Sequence, residues 1–358
     1  METNDFINKM IKKGVINNKE YTLTPIETPI KLNQNESPFD IPADMKKRIL
    51  DKMLASRWNV YPDFTPDGLY LKTAAYLGVN KENILIGNGS NEMIMTILAA
   101  IVESGRRVVI PTPTFAIYGL LSSNFNGEVI KVPLKPDMSF DIDRIVEESK
   151  FEGSVAVLCS PNNPTGAAAA KEDLIKVIKN SGGLVIIDEA YIQFGGETLI
   201  GDLDSYPNLI ILRTFSKAFG LAGLRLGCMI GPKNIITQLS KVKLPYNLNI
   251  LNLIALDEVL DNPDFVDRNV EVILKQKKYM ESELSKIKQI QLFHSDANFF
   301  LFRVERSNFV FAELVKRGVL IRNYSSSVGL ENCLRVSVGS EDEVKLFIES
   351  LKDIAKSL

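Results

Sequence analysis

The chain has 358 residues, more than a single hydrophobic core usually serves, so two domains are expected. Hydrophobic residues make up 45% of the chain and charged residues 24%, as in ordinary soluble globular proteins. The 42 basic and 44 acidic residues nearly cancel, which argues against binding to nucleic acid or to an anionic membrane and favours small soluble partners.

The first 30 residues are polar and contain Pro25 and Pro29, which predicts an arm that leads into the main domain and contributes to a smaller one. The chain starts without the continuous apolar segment of a secretion signal, and it has no apolar stretch of membrane length. A cytoplasmic location is therefore expected.

Apolar runs typical of buried strands alternate with helical patterns through residues 31–252. This alternation predicts an α/β domain with a largely parallel sheet, whose functional loops follow the carboxyl ends of the strands. The predicted strands are Ile84–Ile86, Arg107–Ile110, Val155–Leu158, Leu184–Ile187, Leu209–Leu212 and Leu226–Ile230.

The pattern changes near Asn252, and residues 253–358 are predicted to form a smaller α+β unit. A long charged helix is expected at about Asp264 to Lys286, followed by strands at Gln289–Leu292, Asn298–Phe302 and Cys333–Val338. A final helix is expected from Glu341 to Lys356, with Ser340 as its N-cap and acidic residues in its first turn.

Two motifs follow the first two predicted strands. The turn Gly87-Asn88-Gly89-Ser90-Asn91 joins a strand to a helix, and its exposed amides could bind a phosphate, with Ser90 and Asn91 as the candidate residues. Phe115, after the next strand, is the candidate for stacking on a flat heterocycle, although a core phenylalanine is the simpler reading.

Two further strand ends carry polar side chains. Asn163 lies in the turn Ser160–Gly166 and could donate its amide to a ligand, although the segment by itself reads as a plain turn. Asp188 follows a buried run and could pair with a protonated ring nitrogen, while Tyr191 could bond a phenolic oxygen. A helix cap and a packing tyrosine are the alternative readings of those two residues.

Lys217 is the most informative residue, because it follows the buried run Leu209–Leu212 and opens a glycine-rich turn. A desolvated amine loses its proton readily and can then form a covalent link with a carbonyl. Ser216 and Arg225 beside it could bind an anion at the other end of the same compound. A phosphorylated aldehyde fits this combination, and pyridoxal phosphate is the candidate cofactor.

Together these motifs resemble the fold-type I pyridoxal phosphate enzymes, namely the class I and II aminotransferases, and among them most closely the histidinol-phosphate branch. The resemblance runs from Leu32–Phe39 to Leu334–Gly339 and implies a three-layer fold with a mostly parallel central sheet and a smaller α+β domain. It also implies that Lys217 carries the cofactor and moves the proton. The cofactor would be bound by Ser90, Asn91, Phe115, Asn163, Asp188, Tyr191, Ser216 and Arg225.

The same resemblance implies a homodimer, because Tyr61 matches a tyrosine that reaches the cofactor phosphate of the neighbouring subunit. A loop tyrosine that packs locally is the simpler reading of Tyr61. Substrate binding would fall to Asn35, Arg322 and Arg335, with the two guanidinium groups holding a phosphate or a carboxylate. Structural ion pairs are the alternative for the arginines.

The expected reaction is the exchange of an amino group between L-histidinol phosphate and 2-oxoglutarate, giving imidazole-acetol phosphate and L-glutamate, within histidine biosynthesis. Threonine-phosphate decarboxylase and aromatic amino-acid aminotransferase chemistry remain alternatives within the fold, and a non-catalytic effector-binding module is a remote one. Two departures weaken the substrate prediction: Ile26 stands where the branch often has a tyrosine, and Asn35–Pro38 varies the commoner Asn-Glu-Asn-Pro.

No metal site is predicted, because the histidine and cysteines form no ligand cluster in sequence. His294, the only histidine, is expected on the surface. Cys159, Cys228 and Cys333 are expected to be reduced core thiols, since they are far apart and lie in apolar contexts.

Overall fold

The computed structural model describes residues 3–20 and 25–358. Its strands are β1 (Ile30–Lys31), β2 (Ile84–Gly87), β3 (Arg107–Thr112), β4 (Glu128–Pro133), β5 (Val155–Cys159), β6 (Leu184–Asp188), β7 (Leu209–Thr214), β8 (Gly227–Ile230), β9 (Ile290–Leu292), β10 (Phe299–Val304), β11 (Val319–Leu320), β12 (Arg322–Asn323) and β13 (Cys333–Ser337).

The helices of the described residues alternate with these strands through the middle of the chain. They are α1 (Thr3–Met10), α2 (Lys13–Ile16), α3 (Ala43–Ala55), α4 (Asp67–Leu77), α5 (Gly89–Ile101), α6 (Ile117–Asn124), α7 (Ile142–Ser149), α8 (Lys171–Asn180), α9 (Lys233–Leu239), α10 (Ile250–Asp261), α11 (Asp264–Leu284), α12 (Ser307–Lys316) and α13 (Glu341–Ala355).

The central sheet has seven strands in the order β2-β8-β7-β6-β5-β3-β4. Only β8 runs against the others, because it pairs antiparallel with both β7 and β2, while the remaining neighbours are parallel. The predicted α/β fold with a mostly parallel sheet is confirmed. The carboxyl ends of β3, β5, β6 and β7 meet at one edge, and the loops that leave this edge carry the predicted functional residues.

The central sheet is buried on both faces, as a three-layer fold requires. In β5, Val155, Val157 and Cys159 join one core cluster, while Ala156 and Leu158 join another on the opposite face. Met93 and Ile97 of α5 belong to the first cluster, and Leu174 and Val177 of α8 belong to the second. Successive side chains of a strand point to opposite faces, and here both faces are buried. The inner strands therefore appear in the sequence as continuous apolar runs.

A four-stranded antiparallel sheet, ordered β12-β13-β10-β9, forms the C-terminal unit. Strand β1 pairs parallel with β11, so the end of the N-terminal arm lies beside the C-terminal elements. Helix α13 begins as predicted, with a capping box between Ser340 and Glu343. The domain boundaries 1–30, 31–252 and 253–358 remain predictions, and residues 1–2 and 21–24 of the predicted arm lie outside the described residues.

Strand β4 was not predicted, and its position explains why. It lies at the edge of the central sheet, where only Val132 of its six residues is fully buried. An edge strand with Glu128 and Lys131 exposed lacks the continuous apolar run that marks the inner strands.

Candidate active site

A cavity of about 460 Å³ lies at the carboxyl edge of the central sheet and is closed on one side by the C-terminal unit. Every predicted site residue except Tyr61 lines it. These residues are Asn35, Ser90, Asn91, Phe115, Asn163, Asp188, Tyr191, Ser216, Lys217, Arg225, Arg322 and Arg335. The fold thus brings together side chains that are up to 300 residues apart, counted from Asn35 to Arg335.

Lys217 lies in the loop after β7, and its Nζ donates to the backbone oxygen of Gln34 over 2.8 Å. Burial, and after it the positive charge of Arg335, lower the pKa of this amine to about 7. A large fraction of the amine is therefore neutral near pH 7. A neutral amine is the form that attacks a carbonyl carbon.

Asp188 is the last residue of β6 and is almost fully buried. Its carboxylate accepts hydrogen bonds from the Tyr118 hydroxyl (2.7 Å) and from the Ala190 amide (3.0 Å). Burial raises the pKa of Asp188 to about 6, since these two neutral donors compensate the lost hydration only in part. Within the described residues no cation pairs with Asp188, so the carboxylate can receive a positively charged group from the cavity.

Tyr118 was missed by the sequence reasoning as a functional residue. It is completely buried and lies in α6, where its spacing predicts only core packing. Its hydroxyl partner is 70 residues away in the chain, so no local pattern marks the contact.

The start of α5 forms an anion-binding wall together with Arg225. Ser90 and Asn91 occupy the first turn of this 13-residue helix, whose amino end carries a partial positive charge. The Arg225 Nη1 donates to the Ser216 hydroxyl over 3.0 Å. Gly89 has φ +76°, and a Cβ there would lie 2.7 Å from Arg225 Nη2, so glycine allows the guanidinium to approach the helix end.

Asn163 and Tyr191 lie on the side of the cavity that faces the C-terminal unit. The Asn163 Oδ1 accepts a short hydrogen bond from Arg335 Nη1, which leaves the Asn163 amide hydrogens available to a ligand. The Tyr191 hydroxyl accepts from Asn35 Nδ2 over 3.1 Å. Burial raises the pKa of Tyr191, so this hydroxyl keeps its proton at neutral pH.

Arg322 and Arg335 line the cavity from the C-terminal unit. Arg335 is only 4% exposed, and its Nη2 donates to the backbone oxygen of Asn33 over 2.8 Å. Both guanidinium groups lie over the ring of Tyr324, at 5.7 and 5.5 Å from its centroid. No carboxylate pairs with either arginine in the part of the chain that the structure describes. The alternative reading as structural ion pairs therefore finds no support there.

Phe115 lies at the cavity wall and contacts Tyr118 edge to face, with ring centroids 5.7 Å apart. Tyr61, in contrast, lies outside the cavity of its own chain. It is 78% exposed and stacks on Tyr246 at 4.5 Å between centroids. The structure of one chain therefore does not bring Tyr61 to the other predicted site residues.

The remaining predictions concern the histidine, the cysteines, metal binding and membrane-spanning segments. His294 is on the surface, with 70% of its side chain exposed, and the three cysteines are buried free thiols, as predicted. Among residues 3–20 and 25–358 there is no group of three potential metal ligands. No helix in the same part of the chain is long and apolar enough to cross a membrane.

The cavity fits pyridoxal phosphate in the chemistry of its donors. A buried carboxylate without a cation suits the protonated ring nitrogen, a half-neutral amine suits the aldehyde, and a helix end with Arg225 suits the phosphate. Residues of all three features line one cavity. Fold and site together define the class of pyridoxal phosphate-dependent enzymes with a type I fold.

Comparison with known proteins gives the family. The family described as aminotransferase class I and II matches residues 27–351. A histidinol-phosphate aminotransferase from Chlorobaculum parvum is 41% identical over 91% of this chain and 92% of its own. The chain belongs to the class I and II aminotransferases and is a pyridoxal phosphate-dependent transaminase.

Solved structures agree with this fold. The histidinol-phosphate aminotransferase from Clostridium acetobutylicum superposes with a TM-score of 0.83, covering 92% of this chain and 100% of its own at 26% identity. The enzyme of the same name from Sinorhizobium meliloti, solved in complex with pyridoxal 5'-phosphate, gives a TM-score of 0.83 over 92% of each chain, at 22% identity.

Proposed function

We propose that this chain is a histidinol-phosphate aminotransferase, which exchanges an amino group between L-histidinol phosphate and 2-oxoglutarate. The observation that carries the proposal is the pair of guanidinium groups on the substrate side of the cavity. Arg322 and Arg335 are direct partners in the β12–β13 ladder, so two positive charges stand opposite each other without a carboxylate between them. A dianionic phosphate, or the distal carboxylate of glutamate, would neutralise this charge.

The relatives support the same substrate. The chain is 38% identical to a histidinol-phosphate aminotransferase from Thermoanaerobacter over 97% of its length. Similarity that covers nearly the whole chain includes both the cofactor side and the substrate side of the cavity.

On this proposal Lys217 is the catalytic residue that binds the cofactor and then carries the proton at the substrate carbon. When bound, the cofactor supplies an aldehyde that links to amines and a ring that accepts electrons. Asp188 would hold the proton on the ring nitrogen, and Tyr118 donates a hydrogen bond that keeps this carboxylate in place. The lowered pKa of Lys217 suits a group that must both accept and return a proton near neutral pH.

The other residues bind and orient. Ser90, Asn91, Ser216 and Arg225 would hold the cofactor phosphate at the positive end of α5, and Phe115 would cover one face of the ring. Asn163 and Tyr191 would donate to the phenolic oxygen. Arg322 and Arg335 would fix the anionic end of the substrate, with Asn35 lining the same pocket, so that the reacting carbon is presented to the Lys217 amine.

A homodimer in the cytoplasm completes the proposal. Six large apolar side chains are exposed in two stretches of the sequence and are called the aromatic face: Leu54, Trp58, Tyr61, Phe64, Leu244 and Tyr246. Leu54, Tyr61 and Leu244 are each more than 70% exposed. The rings of Tyr61 and Phe64 contact the ring of Tyr246, which joins the two stretches. Such a surface is typical of an interface, and Tyr61, as part of it, would then lie against the second copy of the chain.

The experiment is a product assay with purified, cofactor-loaded protein. L-Histidinol phosphate and 2-oxoglutarate should yield L-glutamate, and the reaction should stop when 2-oxoglutarate is omitted. Release of carbon dioxide from O-phosphothreonine without a keto acid would overturn the proposal in favour of a decarboxylase. Preference for phenylalanine over histidinol phosphate would overturn it in favour of an aromatic amino-acid aminotransferase.

A further inference from the structure

The hydroxyl of Tyr191 has a defined direction of hydrogen bonding. Its oxygen accepts a hydrogen bond from Asn35 Nδ2 over 3.1 Å, so one lone pair of the phenol oxygen is used by the protein. Among residues 3–20 and 25–358 no acceptor is found for the proton of Tyr191 itself. Because Tyr191 lines the cavity, this proton is available to a ligand there.

The direction of that bond depends on which way the Asn35 amide points, and Ser337 determines it. The Ser337 Oγ accepts from the Asn35 backbone amide over 2.8 Å and donates its own proton to Asn35 Oδ1 over 3.1 Å. The Asn35 oxygen is thereby turned towards β13, and the nitrogen is turned towards Tyr191.

The opposite amide orientation would leave a buried group unsatisfied. With the Asn35 nitrogen facing Ser337, the proton of the Ser337 hydroxyl would have no acceptor. Both hydrogen bonds of this hydroxyl within the described residues are to Asn35. Ser337 is 2% exposed, so water does not replace the lost partner. Leaving a buried hydroxyl proton unpaired is unfavourable, and the observed orientation is the one that gives the Ser337 proton an acceptor.

Asn35 is itself held rigidly. It is fully buried with φ +56°, a conformation that asparagine tolerates better than most residues, and its backbone oxygen accepts from Asn298 Nδ2 over 3.2 Å. Asn35, Ser337 and Tyr191 come from the N-terminal segment, from β13 and from the loop after β6. The chain of bonds therefore crosses from the C-terminal unit to the wall of the cavity.

We propose that Ser337 and Asn35 are positioning residues that hold the Tyr191 hydroxyl as a hydrogen-bond donor towards the phenolic oxygen of the cofactor. The inference rests on the proposed roles of Lys217 and Tyr191. It adds a residue, Ser337, that touches neither cofactor nor substrate and acts through two successive hydrogen bonds. A Tyr191 hydroxyl turned the other way would present a lone pair to an oxygen that carries negative charge.

The test is the pH dependence of the visible absorption of the cofactor-loaded protein, measured without substrate. A hydrogen bond donated to the phenolic oxygen favours the more negative, deprotonated state of the bound cofactor and keeps the midpoint pH low. Tyr191→Phe should raise the midpoint by about one pH unit. Ser337→Ala should raise it by about half of that, since Asn35 is then free to turn.

Two further variants show whether Ser337 acts through Tyr191. Ser337→Thr keeps the hydroxyl and should restore the wild-type midpoint. Ser337→Ala added to Tyr191→Phe should give no shift beyond that of Tyr191→Phe alone. Ser350→Ala, which removes another buried serine hydroxyl, is the matched control and should leave the midpoint unchanged.

The outcomes separate this inference from the proposed function. A wild-type midpoint in Ser337→Ala, or an equal shift in the Tyr191→Phe background, would overturn the positioning role while the visible band itself persists. Absence of any visible band in the wild-type protein after addition of pyridoxal phosphate would overturn the proposed function instead.

Discussion

Arg322 and Arg335 are paired residues on adjacent antiparallel strands, so two guanidinium groups project from the same point of the C-terminal sheet. Like charges in directly opposite positions destabilise a sheet by about 0.2–1 kcal/mol. Both guanidinium groups lie over the ring of Tyr324. Such an arrangement is understandable where an anion is bound, because the ligand then removes the repulsion.

The first prediction separates stability from binding. Arg322→Gln should leave the free energy of unfolding unchanged or raise it by up to about 1 kcal/mol, since the repulsion is relieved. The same change should raise KM for L-histidinol phosphate by about 10- to 100-fold, as expected when one charge-assisted contact is lost. Urea denaturation and steady-state kinetics measure the two effects. Arg317→Gln, which removes a surface ion pair with Asp353 in the same unit, is the control and should not change KM.

The second prediction concerns the cofactor-free protein and the amine of Lys217. Its pKa is about 7 in the folded chain and near 10.5 in the unfolded chain, so between these values the unfolded state binds more protons and stability rises with pH. Lys217→Met removes this penalty. The variant should therefore melt at a higher temperature than wild type at pH 7, and the difference should shrink towards pH 10. A variant that is less stable at pH 7 would show that the amine is not desolvated.

The third prediction tests Tyr118 as the residue that holds Asp188. Tyr118→Phe removes the hydroxyl donor and should raise the pKa of Asp188 further, because that hydrogen bond favours the carboxylate. Cofactor affinity should fall by about tenfold, the size of one hydrogen bond to a charged group. Equilibrium dialysis with pyridoxal phosphate measures this. Tyr76→Phe, at a tyrosine that does not line the cavity, should bind as wild type does.

The fourth prediction concerns the aromatic face. Leu244→Asp should give monomers in sedimentation experiments, because a charge buried in an apolar contact costs several kcal/mol unless it is paired. The monomer should also bind pyridoxal phosphate more weakly if Tyr61 completes the partner's cavity. Leu346→Asp on α13 makes the same change at another exposed leucine and should leave the assembly intact. A dimeric Leu244→Asp protein would place the interface elsewhere.

The sequence located the cofactor side of the cavity because its residues follow buried parallel strands. Asp188 comes directly after one apolar run, and Asn163 lies a few residues beyond another. Parallel topology brings the ends of such runs to one edge of the sheet. Lys217 was recognisable for a further reason, since an ammonium is unfavourable behind a buried strand. These signals are local in sequence, and the structure places all three residues in one cavity.

What the sequence did not reveal depends on contacts between distant segments. Ser337 and Tyr118 look like ordinary strand and helix residues, and their roles arise only when they meet Asn35 and Asp188. The backbone oxygen of Gln34, which accepts from Lys217, has no side-chain signal at all. Polar partners of this kind are fixed by tertiary packing, so hydrophobic periodicity cannot predict them.

The role of Lys217 can be measured by reducing the cofactor-loaded protein with borohydride, which fixes the cofactor permanently to the amine that holds it. Peptide mapping by mass spectrometry should then find the added mass on the peptide that contains Ser216-Lys217-Ala218, and Lys217→Ala should show no labelled peptide. A label on another lysine, or equal labelling of the Lys217→Ala variant, would contradict the assignment of the catalytic amine.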